Sequence, residues 1–544
     1  MHADVLIVGA GPTGLMLANQ LGRQGIRTMI IDRHAGPARE TRALGVQART
    51  LEIYAGLGVE QEALRLGTPG TGGNIWAGGR RMARVPFGES GKTVTPYPYI
   101  LVLGQDANEQ ILGRRLHDWG LSVTWNTELV ALEQSEDHVI ATLKGPDGTT
   151  RKITTAWVAG CDGARSAVRE LNGIEFPGEP YEHVFFVADV AATGSMVPGE
   201  LNVYLWKDGF HLLFPMKGEN HWRLVGILPT NLRSRTDVTF DSVLPSLQAE
   251  LGAGLTFKSC SWFSTYRIHH RRAARFRNRR CFLLGDAAHI HSPVGAQGMN
   301  TGLQDAWNLG WKLGLVVAGD AHADLLDSYE KERLPIAERL LSTTDRGFRL
   351  IVSDSWIAGI MRTRILARIA ALAMSQRRIQ QTAFRTISQT GIGYRASALT
   401  DSSGRLPAGA PQAGERFPWL RLSWKPGGPV EDSFRQFSGT QFKLLSFGQR
   451  VPEAAWLKAS DVIAACEVPT DGTNSAELGR MGIPTPSFYV VRPDGYVGFC
   501  GERLDMAAVR RYLETRVHMG GAGLQDCPTI SLSEVSPKNS PHCV

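Results

Sequence analysis

Asp4–Gly14 reads DVLIVGAGPTG, an apolar run that turns through Gly9, Gly11, Pro12 and Gly14. A buried strand, such a turn and a following helix seat a pyrophosphate on the free N–H groups of the helix. The carboxylate that takes ribose hydroxyls is due at the end of the next strand. Asp32 ends the run Thr28-Met-Ile-Ile-Asp32, with Arg33 beside it. A lone GxGxxG is weak because Gly-rich turns are common; strand, helix and acid together predict a dinucleotide site.

A second stretch, Leu283–Asp305, reads LLGDAAHIHSPVGAQGMNTGLQD. The short run Cys281-Phe-Leu-Leu stops at Gly285-Asp286, and an Asp at a strand's carboxyl end followed by small residues can approach a polyol chain. Pro293, Gly295, Gly298, Met299 and Asn300 then lead into a helix, TGLQDAWNLGWKLGLV. Its start has little side-chain bulk, so its N–H groups can face an electron-rich ring. A reduced flavin carries negative charge near N1 and O2, whereas NAD has no such need at its far end. A flavin is therefore favoured. His289 and His291 lie in the intervening loop without the further ligands a metal would require.

With Cys161-Asp-Gly-Ala-Arg-Ser-Ala-Val-Arg169 and the PxGxQGxNxG continuation of Gly285-Asp286, these motifs resemble the class A FAD-dependent aromatic hydroxylases. That family is built like para-hydroxybenzoate hydroxylase, and the chain looks most similar to its phenol and polyketide subgroup. The match runs in order over residues 1 to about 330. The resemblance implies that NADPH or NADH reduces FAD, that oxygen adds at flavin C4a, and that the hydroperoxide hydroxylates a phenolic or polycyclic aromatic ring. It implies that Gly9, Gly11 and Gly14 admit the pyrophosphate and Asp32 the adenosine ribose. Arg42 and Gln105 would hold phosphate and ribityl oxygens, Asp286 the ribityl chain, and the backbone of Gly298, Met299 and Asn300 the isoalloxazine. Asp162 would touch FAD or nicotinamide; it is equally suited to cap the helix that follows. Arg165 and Arg169 are either surface residues or phosphate contacts.

The elements that must position these residues follow from pattern. The fold expected is α/β, with a Rossmann-like GR2-type FAD-binding domain in two parts, 1–175 and 268–345. Between them, HVFFVADV, LNVYLWKDGFHLLFP and HWRLVGIL alternate with period two, which predicts an inserted antiparallel β-sheet substrate domain over 176–267. A basic helical segment and linker fill 346–405; it reads as packing on the domain or a second subunit rather than on a membrane surface. Residues 406–519 resemble a thioredoxin-like α/β domain, clearest at Ile483-Pro-Thr-Pro-Ser-Phe-Tyr-Val-Val-Arg-Pro-Asp-Gly. No CxxC exists for dithiol exchange, so Cys466 and Cys500 read as core residues and the domain as structural. Residues 520–544, rich in Ser, Pro and Gly, are expected to be disordered.

On the expected pocket sheet, Tyr204, Trp206, His211 and Phe214 are substrate candidates, and Pro293 a further one. Tyr204, His211 and Pro293 are the catalytic candidates, His211 because its pKa range suits phenol deprotonation. In phenol-hydroxylating relatives an Asp precedes the glycine matching Gly45; Leu44 stands here, which puts that activation route in doubt. Baeyer–Villiger or epoxidising chemistry, an FAD-dependent reductase, and a non-catalytic flavin-binding assembly protein are the alternatives.

The formal charge of +7 is spread over scattered arginines without a nucleic-acid-binding signature, so no nucleic-acid partner is expected. Seven cysteines without CxxC suggest neither zinc nor a disulfide framework. No apolar run reaches spanning length, and the nucleotide fold begins at Ala3, so a cytoplasmic protein, with a homodimer in scope, is the expectation.

Overall fold

The computed structural model describes residues 2–38, 43–206, 209–251, 254–290, 297–352, 376–437 and 440–520, without the side chains of 2, 180–182, 268, 269 and 343–352. The architecture is mixed α/β, organised on three main sheets. Arg42, Pro293, Gly295, the 520–544 tail beyond its first residue, and much of the expected basic helical segment lie outside the described residues. One helix, Asp327–Val352, runs into that segment, and another, Arg377–Ile387, lies within it.

In the first sheet the strand His2–Val8 lies between Thr28–Ile31 and Thr150–Gly160, parallel to both, and Cys281–Leu283 continues the parallel set beyond Thr150–Gly160. Val5, Leu6 and Ile7 are fully buried, as expected of a parallel strand covered on both faces. The helix Pro12–Gly22 packs on Gln105–Asp118 and on the long helix Gly298–Ala318. Four strands distant in sequence thus end at one edge, which is where ligands bind open α/β sheets.

The second sheet has eight strands, and the segment expected to hold all of it supplies only part. Gly178–Gly194, Leu201–Trp206, Gly209–Pro215, His221–Ile227 and Leu255–Arg272 come from that region; Gly73–Ala77 and Arg80–Val85 come from well before it, and His289–Ile290 from after it. Neighbours are antiparallel except Leu201–Trp206 with Gly73–Ala77, which run parallel. The helix Phe240–Leu251 covers one face, burying Val243 and Leu247 against Tyr204, Leu213 and Leu224.

The third sheet has the order 401–403, 497–501, 487–491, 442–447, 463–468. It begins before residue 406, because Asp401–Ser403 pairs in parallel with Phe499–Gly501. Cys466 and Cys500 stand on different strands and pack in one apolar cluster. Among the described residues no helix is long and apolar enough to cross a membrane.

Candidate functional site

The turns after the four parallel strands carry Gly9, Asp32, Asp162 and Asp286. A cavity of about 770 Å³ opens at this edge, lined among others by Gly9, Gly11, Asp32, Arg33, Gln105 and Asp162. The three glycines have different duties. Gly9 has φ +103°, and a Cβ there would overlap the Cys161 carbonyl oxygen; one on Gly14 would overlap the Gly9 carbonyl oxygen. Both therefore serve the packing of strand, turn and helix. Gly11 alone has nothing within 4 Å of its missing Cβ, so it keeps the cavity wall low where a phosphate can approach. Pro12 occupies the start of the helix, and Gly11 at the N-cap makes no side-chain cap, which leaves the N-terminal N–H groups for an anion.

Asp32 Oδ2 accepts the Ala10 N–H at 2.8 Å, and Oδ1 accepts the His34 N–H at 2.8 Å and faces its ring Nδ1 at 2.8 Å. Oδ2, with a single partner, keeps a second acceptor direction for a ribose hydroxyl. Arg33 is exposed at the cavity rim, as is Arg165. Gln105 opens its helix and donates to Glu109 Oε1 at 2.8 Å, while Glu109 Oε2 accepts the Ala38 N–H at 2.8 Å. Burial pushes the Glu109 carboxyl up against the pull of Gln105 and Ala38. Glu109, Trp125 and Thr127 also line the cavity and were not foreseen. Glu109 was within reach, one helical turn beyond Gln105; Trp125 and Thr127 enter only because Val123–Thr124 joins the sheet beside Thr28–Ile31.

Asp162 lines the cavity and also supports the helix that follows. Its Oδ2 accepts the Val168 N–H at 3.2 Å, although the N-cap proper is Ser166, whose hydroxyl accepts from Arg169 N at 3.0 Å. Its Oδ1 is buried without a partner at the cavity, and burial pushes the carboxyl up. An orphaned acceptor of this kind costs about 1–3 kcal/mol until a donor arrives. Arg169 corrects both expectations for it. It is buried, donates to the Ala287 and Ala164 carbonyls at 3.0 and 2.9 Å, and lies 3.9 Å over Phe176, so it is a strut tying this loop to the Gly285-Asp286 turn.

That turn is drawn against two helices. A Cβ on Gly285 would stand 2.7 Å from Thr13 Oγ1, and one on Gly302 would be 3.1 Å from Gly285 Cα. Asp286 is crowded enough that burial raises its carboxyl, yet its own surface is exposed; a carboxylate standing in a recess between protein walls meets both descriptions. The helix predicted from about Thr301 starts at Gly298, again without a side-chain cap, and Met299 is half-buried at its first turn. Asn300 spends its side chain on the fold: Oδ1 accepts the Gln47 N–H (2.9 Å) and the Thr50 hydroxyl (2.7 Å), and Nδ2 donates to Gly45 O at 2.7 Å. Only its backbone is left for a ligand.

These features fit a bound FAD: low glycine wall, uncapped helix starts, and carboxylates with open acceptor positions. Asp286→Ala is expected to weaken FAD binding by roughly tenfold or more, since hydrogen bonds to charged groups are worth about 1.5–3 kcal/mol. Titration of the apoprotein with FAD, followed by flavin fluorescence, measures this; an unchanged affinity would place Asp286 outside the site.

The sheet candidates divide by strand alternation. Tyr204, Trp206 and His211 point to the face covered by Phe240–Leu251, away from the nucleotide-binding domain. Tyr204 stacks on Trp76 at 5.5 Å; His211, 1% exposed, stacks on Trp206 at 5.6 Å and pairs through Nε2 with Glu250 at 2.6 Å. His211 is therefore neither a surface histidine nor a pocket base. Phe214 lies on the opposite face, where Val187, Val225, Leu212, Trp262 and Tyr266 pack with Leu44 and Val102. Leu44, standing where phenol-hydroxylating relatives carry an Asp, is 5% exposed in this apolar contact. The sequence signal for this division was present, since odd and even positions of one strand cannot share a face.

Comparison with known proteins agrees with this geometry. A family described as FAD binding domain matches residues 2–344. The 6-methylpretetramide 4-monooxygenase of Streptomyces rimosus is 33% identical over 522 residues, 92% of this chain and 91% of that protein. Pentachlorophenol 4-monooxygenase of Sphingobium chlorophenolicum is 32% identical over 77% of this chain and 76% of its own length. Among solved structures, the anhydrotetracycline hydroxylase from Streptomyces rimosus superposes with a TM-score of 0.76 at 30% identity, covering 95% of this chain and 99% of that one. Aklavinone-11 hydroxylase in complex with FAD and aklavinone gives 0.73 at 25% identity over 95% and 99%.

Proposed function

We propose a substrate and a pocket for this chain, which belongs to the FAD-binding-domain family of flavin hydroxylases. It is an FAD-dependent monooxygenase of aromatic compounds, using a reduced nicotinamide and O2. The substrate we assign is a phenolic, fused-ring aromatic molecule. The observation that carries this reading is the apolar sheet face bearing Leu205, Leu212, Phe214, Val225 and Tyr266, on which Leu205, Leu212 and Tyr266 remain half-exposed beside the contact with Leu44 and Val102. A flat apolar wall of branched and aromatic side chains suits a planar ring system. The names of relatives that act on 6-methylpretetramide and anhydrotetracycline support the same class.

When bound, FAD supplies hydride acceptance from the nicotinamide and activation of oxygen. The protein supplies placement. Gly9, Gly11, Pro12 and Gly14 would seat the pyrophosphate, Asp32 and Arg33 the adenosine side, and Gln105, Asp162 and Asp286 the linking chain. The uncapped N–H groups of Gly298, Met299 and Asn300 would stabilise negative charge on the ring. Leu44 and the apolar sheet face would exclude water from the reacting carbon. The 401–519 unit we read as thioredoxin-like in layout, from its parallel pair Phe442–Phe447 and Ile463–Val468 and its antiparallel pair Ser487–Val491 and Val497–Gly501, serving as a brace rather than a redox module.

Turnover under isotopically labelled oxygen is the test. One labelled atom on an aromatic carbon is expected. A labelled oxygen inserted into a ring would replace hydroxylation with a Baeyer–Villiger outcome, and oxygen-independent turnover without label would leave a reductase.

A further inference from the structure

The Gly285-Asp286 turn is held by an acid that no motif reading singled out. Asp305, on the Gly298–Ala318 helix, is 0% exposed. Its Oδ2 accepts the Gly285 N–H at 3.0 Å and faces His289 Nε2 at 2.7 Å, so it grips the turn on both sides of Asp286. Its Oδ1 accepts from Arg333 Nε at 2.6 Å. Burial alone would raise the Asp305 carboxyl; Arg333 and His289 outweigh it and hold the group ionised.

Arg333 is itself fixed at the remaining corners of its fork. Nη2 donates to the Thr301 carbonyl at 3.2 Å, in the first turn of the same helix, and Nη1 to the Tyr394 hydroxyl at 2.9 Å. Tyr394 packs on Tyr496 at 4.4 Å between ring centres, and the Arg492 guanidinium lies over both rings at 5.4 and 5.8 Å. Arg492 and Tyr496 belong to the third sheet's Arg492–Tyr496 turn. A continuous set of buried contacts thus runs from that turn to the residues that flank Asp286.

We propose that Arg333 is a positioning residue for the flavin. It aims the Asp305 carboxylate at the Gly285–His289 turn and fixes the first turn of the Gly298 helix, and its own orientation is set by Tyr394 against the C-terminal turn. The inference rests on Asp286 and the start of the Gly298 helix being flavin contacts, as assigned above. Lysine cannot reproduce a planar fork that meets a carboxylate, a carbonyl and a hydroxyl at once. Arg333 touches no reacting atom; it acts through Asp305.

The test uses the full-length protein and FAD. Tyr394→Phe removes the hydroxyl but keeps the ring against Tyr496 and beneath Arg492, so the packing of the C-terminal turn is retained. Arg333→Lys keeps the charge; Arg333→Gln removes it. Expected are a severalfold weaker FAD affinity in Tyr394→Phe, roughly tenfold or more in Arg333→Gln, partial recovery in Arg333→Lys, and a displaced visible flavin spectrum in each holoenzyme. Apoprotein melting temperature is recorded in parallel. Melting lowered with FAD affinity and spectrum unchanged makes the network merely structural and overturns the proposal. Weakened binding in Asp286→Ala but in none of the Arg333 or Tyr394 variants also overturns it while leaving the site assignment intact. No effect in any of them removes both.

Discussion

Gly14→Val is expected to purify without FAD and to melt lower than the parent. The new side chain would begin inside the van der Waals shell of the Gly9 carbonyl oxygen and 3.2 Å from Cys161 Cβ. Neither neighbour can retreat. Gly9 N–H is bonded to Ile31 O at 2.8 Å and Cys161 N–H to Val8 O at 2.7 Å, so the turn is stitched to the parallel strands on both sides. Overpacking a rigid site costs about 1–3 kcal/mol and sometimes more, which at the helix N-terminus falls on the pyrophosphate seat. Gly11→Ala is the informative partner. Its Cβ meets no protein atom, so melting of the apoprotein should not change, whereas FAD affinity should fall because the methyl enters the cavity. Flavin absorbance of the purified variants and their apoprotein melting curves check both. Stoichiometric FAD in Gly14→Val would contradict the packing argument; unchanged affinity in Gly11→Ala would move the phosphate elsewhere.

Arg492→Met should destabilise the whole protein by about 3–5 kcal/mol, the range for removing one partner of a buried ionic group. Arg492 is 1% exposed and donates to Glu332 Oε1 and Oε2 at 2.7 and 3.0 Å, and also to Asp494. Without it, the two buried carboxylates of Glu332 and Asp494 share Lys312, which reaches Glu332 at 2.8 Å, and neutral donors such as Trp311 at 3.1 Å from Asp494. Burial raises the Glu332 carboxyl, but Arg492 and Lys312 outweigh burial and hold it below the usual carboxylate range. A depressed folded-state pKa contributes stability above the unfolded carboxylate pKa and loses it as pH falls through the folded value. The gap between parent and variant should therefore be widest near neutrality and narrow on acidification. Denaturant unfolding at two pH values measures it; a variant as stable as the parent at neutral pH would show that the cluster is not shielded from water. Adding Glu332→Gln and Asp494→Asn to Arg492→Met should recover part of the loss, because the uncompensated charges go with the arginine.

The first sheet and the residues at its carboxyl edge were legible because each depends on a local rule. An apolar strand needs a sharp turn before a helix, and that turn needs glycine; an acid ending the next strand is a local feature too. Gly9, Gly11, Gly14, Asp32, Asp162 and Asp286 were therefore found from short windows, although four parallel strands had to assemble before they met. The second sheet was half legible. Period-two runs revealed its strands, but Gly73–Ala77 and Arg80–Val85 were missed because their membership depends on long-range pairing with Leu201–Trp206. The same alternation that identified the strands left open which parity faced inward. Packing separates the two parities: Tyr204, Trp206 and His211 lie on the face covered by Phe240–Leu251, and Phe214 on the face that meets Leu44.

What the sequence determined by itself is the cofactor class, since the dinucleotide and flavin motifs are short windows whose backbone geometry dictates residue type; the monooxygenase chemistry entered only as what the resemblance carried by those motifs implies. What only the tertiary structure decided is how those motifs are held. In sequence Arg169 reads as a surface residue or a phosphate contact; its burial against Phe176 and two carbonyls makes it a strut instead. Asp305, Arg333, Glu332 and Arg492 answer to no local rule of this kind. They become a buried ionic framework only because elements nearly two hundred residues apart exclude water between them, and exclusion of water is a property of packing that no local window records.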